Sequence, residues 1–543
     1  MIPEKKGNKV LLIWPETDKG YYDFNPLSRI FGNRGVFFPL PLLYVASALS
    51  DFWDYTIADE NIKTISRDQA EQADFFMISS NILQRNSVEK LIKRLEPYNK
   101  PIIVGGPAVS TIPEAFVGKN VTKVIGEIES IEENSAPDTV AEILMRDMKN
   151  QCLRNSYKAH GHPDLKKALP PRYDLVKFNQ YYHLSIQVSR GCNHSCDFCQ
   201  EIFLYGIHQR KTTEQVINEL TLLLKLGTKK TVFIVDDNFI GDLKNCTNKT
   251  NLIALLDSLY NWQKKYSFPF DFVTQCSLEI ADHKEIVALM VKAGINMVFL
   301  GIETDDPATL ASMHKSQNFN TNMFDAVTLL RNNGIGILGG LIIGFDNDTP
   351  ESINHQYEFI QKTSIPYAGI SLLQAPLGSK LHYRLQKEGR LSGDNNALTK
   401  SFCTNIITKM NPTVLYTNYL KLAKALYNPE SYFHRSLEWC INWNDAFVVS
   451  GKKGSISANL SFLRLFRSVL FQGLASNYRT TYWKYLWIAF LKFKFNSNKM
   501  SVYLYLIYFY TIVFDIVDQL EKFEKHIPND IIENWERYYH KKT

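Results

Sequence analysis

A chain of 543 residues is beyond the size at which one core keeps growing, so two to four domains are expected. Its 45% hydrophobic and 21% charged residues are ordinary for a globular protein and exclude a disordered or fibrous one, and a net charge of +6 is too modest at this size to indicate nucleic acid. Eight cysteines over this length make no disulfide framework, and the opening MIPEKKGNKVLLIWPE lacks the charged, apolar and small-residue segments of a signal peptide, so a cytoplasmic protein is expected.

KVLLIW (9–14) reads as a short buried strand and PLPLLYVASALSD (39–51) has helical spacing, followed by a second strand, YTIADEN, that closes on Asp59. Strand and helix alternate twice more, DFFMISSN with SVEKLIKRLEPY and PIIVGGP with STIPEAFV, before the strand KVIGEIES. That alternation predicts an α/β unit over residues 1–150, a doubly wound, Rossmann-like parallel sheet. Such sheets bind ligands beyond the carboxyl ends of their strands. Asp59, Ser79, Ser80, Asn81, Gly105, Gly106, Gly126 and Glu127 fall there. Gly105 and Gly106 could equally do no more than make a tight turn. The chain has no GxGxxG or GxxxxGK(S/T) run, which argues against a dinucleotide or P-loop site.

A linker is expected over 151–180, marked by LPPRYDL (169–175), before the strand YYHLSIQVSRGC. Five helix and strand units follow, ending in the strands TVFIVDDNF, FDFVTQCSLE, MVFLGIET, IGILGGLIIGFD and YAGISLLQAP. With the first strand they predict a partial (β/α)6 barrel over 181–385, its site built from the loops at the C-terminal face. The loop after the first strand, SRGCNHSCDFCQ, carries Cys192, Cys196 and Cys199. Asp236, Asp237, Gln275, Ser277, Glu303 and Gln374 end the other strands and are expected to converge on it.

Three thiolates spaced three residues and then two raise a choice between metals. Structural zinc asks for four ligands, commonly in paired knuckles, and neither a second CxxC nor a well-placed histidine is present. Iron-sulfur clusters are also held by thiolates. Three ligands on a four-iron cluster leave one iron open to bind a small molecule, which is the reading the spacing favours.

The CxxxCxxC run with Phe198 before its last cysteine resembles the signature of radical S-adenosylmethionine (SAM) enzymes. The N-terminal unit, through FPLPLLYVASALSD, VGGP and VIGEIES, resembles the cobalamin-binding domain of one large class of them. CSLEIADHKEIVALMVKAGINMVFLGIETDD, GGLIIGFDND, LLQAPLGSKLHYRLQKEGRL and NPESYFHR are similar to the subgroup that contains the hopanoid C-2 methylases, and the likeness spans about residues 8 to 435. The resemblance implies a [4Fe-4S] cluster on Cys192, Cys196 and Cys199, with SAM chelated by the open iron. It places Phe198 against the adenine and Glu303 on the SAM ribose or amine. Asp236 stands where many relatives carry a Gly-Gly-Glu run for the methionine amine; that run is absent, and helix capping by Asp236 and Asp237 is an equal alternative. Gln275, Ser277 and Gln374 are further expected SAM contacts, although Gln275 and Ser277 could end a strand without touching ligand.

Residues 1–150 contain no histidine, so the DxHxxG run that supplies a lower cobalt ligand is missing. The expected reaction is removal of hydrogen from an unactivated sp3 carbon by a deoxyadenosyl radical and methylation of that carbon from cobalamin, with electrons from an external flavodoxin- or ferredoxin-type donor. Alternatives are a ring closure or rearrangement of a tetrapyrrole or nucleotide with the same cofactors, or a zinc-stabilised binding module.

A mainly helical region is expected over 386–543. Residues 451 to 500 hold nine Lys or Arg, Lys452, Lys453, Arg464, Arg467, Arg479, Lys484, Lys492, Lys494 and Lys499, and no Asp or Glu, among many aromatics. SVYLYLIYFYTIVFDIV follows, and neither stretch reaches the roughly 20 apolar residues of a spanning helix. Two readings stay open: a helical cap with solvated lysines, or an interfacial segment that docks on the inner face of a membrane and admits a lipid substrate. No nucleic-acid partner is expected.

Overall fold

The computed structural model describes residues 8–17, 24–49, 53–226, 231–319, 321–392, 403–445, 462–524 and 529–540. The first sheet comprises β1 (Lys9–Trp14), β2 (Asp54–Asp59), β3 (Phe75–Ser79), β4 (Ile102–Gly105), β5 (Val121–Ile125), β6 (Ile131–Glu132) and β7 (Ser156–His160), in the order β2-β1-β3-β4-β5-β7-β6. All pairings are parallel except that of β6 with β7. β1 is apolar from Val10 to Trp14 because both of its faces are covered. Val10 and Leu12 pack under the helices Leu40–Ala48 and Val140–Lys149, and Leu11 and Ile13 under Arg85–Leu95 and Pro107–Thr111.

Two details depart from expectation. Residues 156–160, expected as linker, add β7 to the first sheet, pairing Lys123 with Ser156 and Ile125 with Lys158. SYKAH is too short and polar to announce itself. Only Tyr157 is fully buried, in the same core as Val10, with its hydroxyl donated to Asp147 at 2.9 Å. The helix expected over STIPEAFV instead runs Pro107–Thr111 and gives way to a 3-10 turn at Pro113–Ala115, since Pro113 has no N–H to continue it.

The second sheet is a six-stranded, all-parallel array: β8 (Leu184–Ile186), β11 (Thr231–Ile234), β12 (Asp271–Cys276), β13 (Ile295–Glu303), β14 (Gly336–Ile343) and β15 (Tyr367–Leu372). β8 and β15 are its edges, so the barrel is partial and open. A ribbon of β9 (Ser189–Arg190) and β10 (Gln209–Arg210) brackets the cysteine loop. Leu184, Ile186, Val232 and Ile234 pack outward against the surrounding helices. The alternation of a strand then turns Ser185, Gln187, Phe233 and Val235 into the lumen.

Beyond the barrel, Pro412–Tyr427, Pro429–Asn442, Phe462–Ser468, Arg479–Phe493, Ser497–Glu524 and Asn529–His540 are helices. Contrary to the sequence count, Ser497–Lys522 is long and apolar enough by length and composition to cross a membrane. However, 61% of that window is buried inside the protein. Tyr503, Ile507, Tyr508 and Val513 join the core shared with Tyr419, Leu426 and Tyr432. Of the nine cations counted above, Lys452 and Lys453 lie outside the described residues.

Candidate active site

The cysteine loop is pinned from several sides. Gly191 sits at φ +76, and a Cβ there would come within 2.4 Å of the Gly206 carbonyl, which accepts the Cys192 N–H at 3.2 Å. The Asp197 N–H bonds the Met313 carbonyl, its carboxylate meets His314 Nδ1 at 3.0 Å, and its own carbonyl accepts from Leu381 N–H. Phe198 lies edge-on to Phe345, with the Lys315 ammonium 5.8 Å from its ring centre.

Cys192, Cys196 and Cys199 are free thiols. Among the described residues no three His, Cys, Asp or Glu side chains are drawn together as a single metal ion requires. Burial pushes the Cys192 thiol up to about 11. Cys199 is solvent-exposed at its edge yet crowded by protein groups, and desolvation raises it too. A bound metal would therefore have to displace their protons. Gln317 Nε2 donates to Cys196 Sγ at 3.3 Å.

Glu303 holds φ +64 and ion-pairs with buried Lys315 at 2.6 Å, which gathers Glu303, Phe198 and Cys196 in one place. Ser277 Oγ donates to Glu279 Oε1 at 3.1 Å, and Glu279 meets His194 Nε2 at 3.2 Å, tying the end of β12 to the cysteine loop. Gln275 lies two residues beyond Val273, the partner of Phe233, and so takes the same lumen face as Val235.

Other expected contacts are engaged elsewhere. Asp236 is fully buried and accepts from Val188 N–H at 2.7 Å and Ser189 Oγ at 2.5 Å, joining β11 to the start of the cysteine loop. Nor do Asp236 and Asp237 cap a helix, because the next one begins at Cys246 under Asn245. Burial, together with Asp237 nearby, pushes Glu201 well up. Gln374 donates to the Cys403 carbonyl at 3.0 Å and thereby anchors the segment after β15.

A cavity of about 460 Å³ lies between the first sheet and the open edge of the barrel. Ser79, Ser80, Asn81, Gly105, Gly106, Gly126 and Glu127 line it from the strand ends of the sheet; Ser185, Gln187, Phe233 and Val235 line it from the barrel. Most of the remaining wall is apolar, and no histidine is among its lining residues. Gly106 sits at φ +95, where a Cβ would come within 2.6 Å of the Ser80 carbonyl, so the turn requires glycine and its backbone forms part of the wall. The Ser80 hydroxyl is buried there without a hydrogen-bond partner.

Asp59 does not line this cavity. Its carboxylate accepts from Tyr181 OH and Asn61. Glu127 lines the cavity but is held by Arg190 Nη1 at 2.7 Å and His162 Nδ1 at 2.9 Å, while Glu129 takes the other side of the Arg190 guanidinium at 3.0 Å. Arg190, Lys315 and Gln317 were not singled out from the sequence. Their partners lie in distant segments or in loops without periodicity, and the only local signal is that Arg190 adjoins the cysteine loop and Glu127 and Glu129 sit in VIGEIES.

A family profile described as B12 binding domain matches residues 33–135, one described as Radical SAM superfamily matches 186–360, and a domain of unknown function matches 379–522. The hopanoid C-2 methylase of Rhodopseudomonas palustris is 30% identical over 487 residues, 88% of this chain and 89% of its own length. An uncharacterized methyltransferase of Synechocystis sp. is 30% identical over 430 residues, 79% of this chain and 78% of its own. Among solved structures, the cobalamin-dependent S-adenosylmethionine radical enzyme OxsB, with aqua-cobalamin and S-adenosylmethionine bound, covers 98% of this chain and 84% of its own with a TM-score of 0.60. At 14% identity that likeness speaks for the fold. Identity sustained across nearly the whole length of the hopanoid methylase makes this chain a member of the family of cobalamin-dependent radical SAM methyltransferases.

Proposed function

We propose that this protein methylates an unactivated sp3 carbon of an apolar, polycyclic, lipid-like substrate, working peripherally at the inner face of the membrane with electrons from an external flavodoxin- or ferredoxin-type donor. The observation that carries this reading is the cavity. It joins the strand ends of the N-terminal sheet to the barrel lumen, and Phe37, Phe233, Val235, Met77 and Ile103 make most of its wall apolar. An apolar carbon has no pKa that acid-base catalysis could use, and a dry, apolar wall is what radical chemistry on it needs. Similarity to the hopanoid methylase points in the same direction.

The residues present fit the groups the family requires. Cys192, Cys196 and Cys199 would hold the [4Fe-4S] cluster, three thiols with no fourth beside them in the loop. Ser79, Ser80, Asn81, Gly105, Gly106 and Gly126 would cradle the cobalamin, where an unpartnered Ser80 hydroxyl and a side-chain-free Gly106 wall suit a large polar-edged ligand. Bound there, the cluster supplies the single electron for SAM cleavage and the cobalamin supplies the methyl group. Phe198, braced by Phe345, offers an apolar face beside the cysteines, and the Lys315–Glu303 pair places a buried polar anchor next to it. Phe233, Val235 and Gln275 line the lumen beyond and orient the substrate away from water.

The test is comparison by mass spectrometry of lipid extracts from cells with and without the gene. A lipid one methyl group heavier, present only with the gene, is expected; identical lipid profiles with a changed water-soluble metabolite would refute an apolar substrate.

A further inference from the structure

On the helix Arg479–Phe493, Tyr482, Tyr485, Ala489 and Phe493 are buried against the neighbouring helices. The opposite face is also apolar: Trp483, Trp487, Phe490 and Leu491 recur at three- and four-residue spacing and are 44%, 61%, 51% and 50% exposed. A helix that is hydrophobic on both faces belongs either in a protein core or in lipid, and Trp487, Phe490 and Leu491 of this one are at least half exposed. The preceding helix and its π-helical end (Val469–Leu474) extend the surface with Phe466, Phe471 and Leu474. The two stripes are joined, because the Trp483 indole N–H bonds the Gly473 carbonyl at 2.9 Å. Arg479, Lys492 and Lys494 are exposed along the same helix and its end, whereas Lys484 pairs with Glu430 of the helix Pro429–Asn442, and residues 451–500 contain no Asp or Glu.

We infer that this helical hairpin, residues 462–495, is a membrane-docking surface that seats in the headgroup region of an anionic bilayer. It deepens the membrane reading made above and rests on it. Charge complementarity selects the occupant: aromatic and aliphatic side chains enter the acyl boundary while the lysines and arginines meet anionic lipid. A neighbouring protein or a second copy of the chain would want acidic groups to match these cations, and the hairpin itself has none to offer in return. The long helix Ser497–Glu524 stays mostly packed inside, so the protein lies on the membrane rather than through it.

The experiment is flotation of the purified full chain with vesicles of phosphatidylcholine alone and of phosphatidylcholine with phosphatidylglycerol. Flotation with the anionic vesicles, weakened by salt, is expected. The Trp487→Ser/Phe490→Ser variant should lose most of it with an unchanged melting temperature, since both side chains are surface-exposed, and each of Lys492→Gln and Lys494→Gln should weaken it about fivefold. No flotation with either vesicle, flotation unaffected by the serine variant, or a dimer that the serine variant dissociates without any change in vesicle binding would overturn the inference. 5'-Deoxyadenosine formation from SAM by the same reconstituted samples without vesicles reports on the chemistry alone, so a failed docking surface and a failed catalytic reading give different results.

Discussion

Gln317 donates its side-chain amide to the Cys196 sulfur at 3.3 Å and is itself nine-tenths buried. Hydrogen bonds to ligand sulfurs stabilise the reduced, more negative cluster, so Gln317→Leu is expected to lower its midpoint potential by an amount on the order of tens of millivolts while leaving iron content unchanged. An EPR-monitored redox titration reads this directly. Cys199→Ala should instead abolish the brown colour and the iron of anaerobically purified protein. Asp236 makes a contrasting case, since its partners are Val188 and Ser189 of the chain itself. Asp236→Ala would leave buried donors unpaired and cost about 1–3 kcal/mol in urea unfolding, with SAM affinity unaltered. Burial raises this carboxyl to about 6, so the folded chain holds the proton more tightly than the unfolded one. Its contribution to stability is full below the ordinary carboxylate range and is lost as pH rises through about 6. Asp236→Asn should flatten that slope.

At the scale of elements, Arg190 on β9 reaches Glu127 and Glu129 on the loop after β5 and so latches the first sheet to the barrel. Removing one partner of such a buried pair costs about 3–5 kcal/mol. Arg190→Ala is therefore expected to turn a single unfolding transition into two, or to expose the segment between β7 and β8 to limited proteolysis. The strands and helices flanking this latch were legible in the sequence because buried strands read as short apolar runs and their covering helices keep a 3.6-residue period. KVLLIW and TVFI fold as strands, and TEQVINELTLLLK folds as a helix over Thr213–Lys225. β7 was not legible, since SYKAH offers a single buried side chain and owes its strand to pairing with β5, some thirty residues earlier. For the same reason the cysteine loop could be found by spacing alone, whereas its Lys315, Gln317 and His314 supports could not: they arrive from a segment more than a hundred residues away. Asp59 and Asp236 stood at strand ends, as ligand residues do, but strand ends also need partners of their own, and Tyr181 and Ser189 supply them.

Across the whole molecule the first sheet and the barrel meet at one cavity. The strand ends of the first sheet form one wall, the lumen face of β8 and β11 another, and the cysteine loop follows directly from β8. On the proposed function, the methyl carrier would lie against the strand ends of the first sheet and the substrate against the apolar wall beside the barrel, while the exposed aromatic hairpin lies on the helices beyond the barrel. Anaerobic reconstitution of the full chain with iron, sulfide and cobalamin, followed by SAM and a strong reductant, tests the central claim most directly. Formation of both 5'-deoxyadenosine and S-adenosylhomocysteine, lost together in Cys192→Ala, is the predicted result; formation of neither, or of S-adenosylhomocysteine alone with the cysteine variant fully active, would contradict it.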